Sequence, residues 1–243
     1  MKKILIGALI VLVVFLIYLC NLDKKVYYLA LGDSLADGDG INSKKIKGYS
    51  EYVRDYLQNK DLLETYVDEF AESGYRTTDL INAITDNRKV TINDKTVTLQ
   101  NALIKADLVT LSIGANDILD RLNLENPIDY SALYNYIDDL AKDLEELLLL
   151  MREYCKEDIV LIGYYNPYPY LNNSNTEDIF SYLNEKYADI SHEYDVTYVE
   201  ISTLFKENPQ FLPNENDIHP SKEGYKAIAG EIIGVINKKM LDS

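Results

Sequence analysis

Apolar residues fall along this chain in two alternating rhythms. Continuous runs rich in Val, Ile, Leu and Tyr occur at 25–31 (KVYYLAL), 65–71 (TYVDEFA), 107–113 (DLVTLSI), 158–165 (DIVLIGYY) and 196–201 (VTYVEI). Most are flanked by Gly, Asp, Asn or Ser, and such runs predict strands. Between them, apolar positions recur every three or four residues, which predicts helices near 48–60, 77–86, 98–106, 130–155, 177–194 and 221–240. In the fourth of these the stripe Leu133, Tyr136, Ile137, Leu140, Leu144, Leu147 and Leu148 is a core-facing one. Residues 86–98 (DNRKVTINDKTVT) read as a small hairpin or excursion. Strand–helix alternation implies an α/β fold, a three-layer α/β/α sandwich around a central, mostly parallel five-stranded sheet. Right-handed crossovers then bring every strand C-terminus to one edge, where such sheets bind ligands.

The first residues break this rhythm. Residues 1–22 (MKKILIGALIVLVVFLIYLCNL) carry two lysines and then an apolar run from Ile4 to Leu19. With Cys20 and snorkelling lysines, that run just crosses a hydrocarbon core of roughly 30 Å. We read it as an N-terminal transmembrane helix, a membrane anchor or uncleaved signal, ahead of one domain at 23–243. A cleaved signal peptide is the alternative, although no A-x-A-like site follows and Tyr18 and Leu19 are bulky for lipoprotein-type cleavage at Cys20. Either reading puts the domain outside the cytoplasm.

Composition narrows the partners. The 243 residues are 47% hydrophobic, enough for one full core, and the net charge of −16 repels nucleic acid and anionic lipid. Cys20 and Cys155 are far apart in sequence, so no intrachain disulfide is expected, and no Cys/His cluster of zinc spacing occurs.

Small polar residues gather at the predicted strand ends. GDS (32–34) follows the first strand, ESG (72–74) the second and GAND (114–117) the third, while NDIHPS (216–221) leads into the last helix. A serine hydroxyl becomes a nucleophile only when a base takes its proton. Of the two histidines, His192 lies in a polar part of a helical pattern and reads as solvated, leaving His219 as the candidate base for Ser34. Gly74 offers an unobstructed N–H, Asn116 a side-chain amide and Ser34 its own N–H to a developing oxyanion.

These blocks carry a resemblance. GDSL (32–35), SG (73–74), GAND (114–117) and IHPS (218–221), in this order, resemble the successive motifs of the SGNH/GDSL hydrolases. The resemblance implies a flavodoxin-like sandwich and a lipase or esterase that cleaves carboxylic esters through an acyl-enzyme. It implies Ser34 as nucleophile, His219 as base, and Gly74 and Asn116 as oxyanion partners. The G-x-S-x-G elbow of the larger α/β-hydrolases is absent. One departure concerns the triad acid. The family position, three residues before the histidine, holds Asn216, and Asp217 comes one later. Either Asn216 orients His219 in a dyad, the slightly favoured reading, or the loop bends so that Asp217 does.

Other polar residues have plainer roles. Asp33 is expected to tie down its loop, and Asp117 to cap a helix or accept hydrogen bonds. Asp37 and Asp39 open a calcium-like DGDG pattern that Ile41 breaks, so neither metal nor cofactor is expected. The GYYNPYPY segment (163–170) either lines a pocket or packs on itself. The expected partners are a small-molecule, lipid or carbohydrate ester and, through the N-terminal helix, a membrane. Two rival readings stand: a metal-dependent phosphoesterase using Asp33, Asp37, Asn116, Asp217 and His219, and a non-catalytic, surface-anchored binding protein.

Overall fold

A computed structural model describes residues 25–122, 129–169 and 174–242. The expected anchor at 1–22 lies outside them, and among the described residues no helix is long and apolar enough to cross a membrane.

Five strands, β1 (Val26–Gly32), β4 (Leu63–Val67), β7 (Leu108–Ser112), β8 (Asp158–Ile162) and β9 (Thr197–Val199), form one parallel sheet in the order β4-β1-β7-β8-β9, while β2 (Asp39–Gly40) and β3 (Lys44–Lys45) pair antiparallel in a separate two-stranded ladder. In β1, Tyr28 to Leu31 are fully buried, and β7 is buried along its whole length. Burial on both faces explains why these segments read as continuous rather than alternating apolar runs. Helix α2 (Tyr49–Asn59) packs against α9 (Lys222–Asp242). Helix α6 (Tyr130–Tyr154) packs against α3 (Thr77–Thr85), α4 (Leu99–Lys105) and α7 (Ser174–Glu193). These two groups form the outer layers of the sandwich. His192, near the end of α7, is exposed as expected.

The expected excursion at 86–98 is an antiparallel hairpin, β5 (Lys89–Ile92) and β6 (Lys95–Thr98), turned by Asn93 and Asp94 at φ 49° and 63°. The predicted strand at 65–71 starts two residues earlier and stops at Val67, because Ala71 N–H closes a turn on the Asp68 carbonyl. The predicted strand at 158–165 ends at Ile162, where the Asn184 side chain takes over the backbone of Tyr164, accepting from its N–H at 2.8 Å and donating to its carbonyl at 2.7 Å. A one-turn helix, α1 (Ser34–Asp37), starts two residues after β1.

Candidate active site

Ser34 is delivered by a backbone that only glycine permits. Gly32 has φ +127°, and a Cβ there would stand 1.9 Å from the Ser112 carbonyl oxygen on the adjacent strand. Asp33 N–H donates to that same carbonyl at 2.9 Å. The Asp33 side chain then folds back as N-cap: Oδ1 accepts from Leu35 N–H at 3.1 Å and from the Ser112 hydroxyl at 2.9 Å, while Oδ2 accepts from the Tyr164 hydroxyl. Asp33 therefore does tie down its loop, from 1% exposure. Burial pushes its carboxyl up to about 6, against the opposing pull of the Tyr164, Leu35 and Ser112 donors.

His219 meets Ser34 from the far end of the chain. Its Nε2 lies 3.0 Å from Ser34 Oγ, and its Nδ1 lies 2.8 Å from Asp217 Oδ1. With a carboxylate against Nδ1 the ring proton belongs there, which leaves Nε2 to accept from the Ser34 hydroxyl. The carboxylate facing Nδ1 is that of Asp217, not the side chain of Asn216, which corrects the preference drawn from the family spacing. The cause is a turn: Asn216 and Asp217 donate their N–H groups to the Asn214 side-chain and main-chain oxygens at 3.1 Å each. This leaves Asn216 exposed and swings Asp217 inward. There the Asp217 carboxylate also accepts from the N–H groups of His219, at 2.9 Å, and of Asn42. Burial works to raise the Asp217 carboxyl, but these donors and the imidazole outweigh it and hold it below the ordinary carboxylate range.

Two of the oxyanion candidates sit on tethered segments, Asn116 on the short helix α5 (Ala115–Leu119) and Gly74 on a turn. Asn116 opens onto the cavity beside Ser34, and its Nδ2 donates to the Tyr75 carbonyl at 2.8 Å. That bond uses one of its two amide hydrogens. Asp117 accepts from Thr77 N–H at 3.1 Å, the acceptor role expected of it. Together they pin the turn 72–75, in which Tyr75 N–H bonds the Glu72 carbonyl and Gly74 has φ +84°. Gly74 stands outside the cavity wall, with open space around it, and no hydrogen bond among the described residues takes up its N–H. Ser73 locks this turn to the Ser34 segment by sharing its hydroxyl hydrogen between Asp37, at 2.9 Å, and Asp39. Lys45 bridges the same two carboxylates. The acids considered as metal ligands are thus engaged elsewhere: Asp33 with Tyr164 and Ser112, Asp37 and Asp39 with Lys45 and Ser73. Among the described residues no group of three or more His, Cys, Asp or Glu is arranged to hold a metal ion.

The tyrosine-rich segment does line a pocket. Ala115, Leu119, Tyr164, Tyr165, Phe180 and Ile218 wall a cavity of about 20 Å³ beside Ser34 and His219. Tyr165 donates its hydroxyl to the Ile218 carbonyl at 2.7 Å and stacks on Phe205 at 4.0 Å between ring centroids. Phe205 in turn meets Phe211 edge-on. This aromatic column props the loop that carries His219.

A parallel five-stranded sandwich with serine, imidazole and carboxylate converging at the C-terminal edge of its sheet defines a hydrolase of the SGNH class. The match to a family model is consistent with that: residues 30–227 match the GDSL-like lipase/acylhydrolase family, and the chain belongs to it. It is 26% identical over 229 residues to the uncharacterized protein YpmR of Bacillus subtilis, covering 90% of this chain and 84% of that protein. Its fold resembles the lipase Lip_vut3 from a goat rumen metagenome, with TM-score 0.70, 22% identity, and coverage of 85% and 95% of the two chains. It also resembles Axe2, an acetylxylan esterase from Geobacillus stearothermophilus, with TM-score 0.62, 21% identity, and coverage of 86% and 93%.

Proposed function

We propose that this protein is a serine esterase that cleaves carboxylic esters through an acyl-enzyme, tethered by its N-terminal segment and working outside the cytoplasm. The observation that carries the reading is the relay Ser34 Oγ–His219–Asp217, with contacts of 3.0 and 2.8 Å. As Ser34 Oγ bonds to the ester carbonyl carbon, its proton passes to His219 Nε2. The carbonyl oxygen becomes an oxyanion, met by the Ser34 N–H and the free amide hydrogen of Asn116, with the unengaged Gly74 N–H on the turn held by Asn116 as the third donor. Each such donor is worth on the order of 10²–10³ in turnover. Collapse breaks the bond to the leaving alcohol, which takes the proton from His219. Water then adds to the acyl carbon as His219 Nε2 takes its proton; collapse breaks the bond from that carbon to Ser34 Oγ, which recovers the proton from His219, and the acid departs. Asp217 keeps the ring oriented and offsets the charge on the imidazolium.

The extracytoplasmic setting is supported by the apolar run Ile4–Leu19 after two lysines. The fold neighbours, a lipase and an acetylxylan esterase, differ in substrate and do not choose one for this chain. The test is turnover of p-nitrophenyl acetate together with labelling by a serine-directed fluorophosphonate. Ser34→Ala should lose both; wild-type turnover in that variant would reject the mechanism.

A further inference from the structure

We propose, resting on the serine-esterase reading, that the cavity beside Ser34 admits only a short, apolar acyl group of two or three carbons, and that Phe180 and Leu119 set this limit. The cavity of about 20 Å³ exceeds by little the space one water occupies, roughly 10–15 Å³ on the same measure. With the ester carbonyl held at Ser34 Oγ, that room takes the methyl or ethyl of an acetyl or propionyl group.

The walls give little. Phe180 and Tyr164 are 2% and 3% exposed, and Tyr165 is 5% exposed. Tyr164 is fixed by its bond to Asp33, and Tyr165 by its bond to Ile218 and its stack on Phe205. Interiors packed in this way resist added methylenes.

Polarity points the same way. Both tyrosine hydroxyls in the wall are already donated, to Asp33 and to the Ile218 carbonyl. Ala115, Leu119, Phe180 and Ile218 offer only carbon. Apart from the Asn116 amide, which the oxyanion takes, the wall offers no free donor, so a hydroxylated or charged acyl group would lose water for little return. The leaving alcohol must face His219 Nε2, whose loop runs at the surface through the exposed residues Glu215 and Asn216. We place the alcohol on that side, so selection falls on the acyl part and leaves the alcohol free to be large.

The test is kcat/KM of the full chain on p-nitrophenyl acetate, butyrate and octanoate, with Ser34 labelling by fluorophosphonate in parallel. A hydrophobic pocket distinguishes one methylene by about 10- to 200-fold. Acetate should therefore exceed octanoate by at least about 100-fold. Leu119→Ala, at a half-buried site that tolerates truncation, and Phe180→Leu should each raise the octanoate-to-acetate ratio by about 10-fold. Labelled Ser34 with octanoate cleaved as fast as acetate, or with acetate untouched, overturns the acyl limit and leaves the serine mechanism standing. So does an unchanged ratio in both variants. No label and no turnover of any ester, in folded protein, removes the serine mechanism and the acyl limit with it.

Discussion

Asp217 grips His219 at two points: one carboxylate oxygen, Oδ1, accepts from the His219 backbone N–H at 2.9 Å and lies 2.8 Å from the ring Nδ1. The two residues are separated by Ile218 alone, so a single local turn sets both the position and the tautomer of the imidazole.

Asp217→Asn should lower kcat on p-nitrophenyl acetate by about 10³–10⁴, the scale seen when a triad acid loses its charge. Asn216→Ala should stay within about threefold of wild type, because that side chain is exposed. Steady-state kinetics of the two variants, side by side, checks the assignment; the reverse ranking would return the role to Asn216.

Asp33 makes stability depend on pH in an unusual sense. With its carboxyl pushed up to about 6 by burial, the folded protein keeps a proton that the unfolded chain releases near pH 4. Where the native state binds the extra proton, stability falls as pH rises. The contribution of Asp33 therefore declines between about pH 4 and 6, by about 3 kcal/mol in all. Asp33→Asn, which keeps the shape, should remove that decline. Urea midpoints at pH 4.5 and 7 should show the variant gaining on wild type at the higher pH.

Gly114 is needed where it stands. It has φ +109°, and a Cβ there would come within 1.7 Å of the Tyr187 hydroxyl, which donates to the Ile113 carbonyl at 3.1 Å. Gly114→Ala should cost about 3 kcal/mol or more. Tyr187→Phe removes the nearest atom, so in the double variant the two losses should fall short of additivity by about 1 kcal/mol. Denaturant melts of the four proteins in the cycle measure this.

On the serine-esterase reading, Ser73 should act through Gly74. Its bonds to Asp37 and Asp39 fasten the Gly74 turn to the segment that carries Ser34. Ser73→Ala should lower kcat about 10-fold with KM little changed, as expected when an oxyanion donor drifts. Ser73→Thr, which keeps the hydroxyl, should restore most of the rate. Equal falls in thermal stability without a change in kcat would make the residue structural only.

Much of this architecture was legible in the chain because it is written locally. Continuous apolar runs marked all five sheet strands, and helical spacing marked the long helices, with errors confined to element ends. Serine, glycine, asparagine and histidine stood at strand ends and ahead of the last helix, where topology alone brings them to one edge. What could not be read depends on contacts between distant segments. Ser112 and Tyr164 reach Asp33 across 79 and 131 residues of sequence. Asn42 meets Asp217 across 175, from a turn at positive φ that composition does not announce. The choice of Asp217 over Asn216 turned on the Asn214 turn, whose hydrogen bonds are invisible to motif spacing.

The column Tyr165–Phe205–Phe211 has a consequence for how this enzyme could diversify. One aromatic ring is at once a wall of the cavity beside Ser34 and a prop for the stretch of chain bearing His219. Enlarging the cavity by trimming Tyr165 would loosen His219 along with it, so on the proposed mechanism new specificities should arise by change at Phe180 or Leu119, which are free of that double duty.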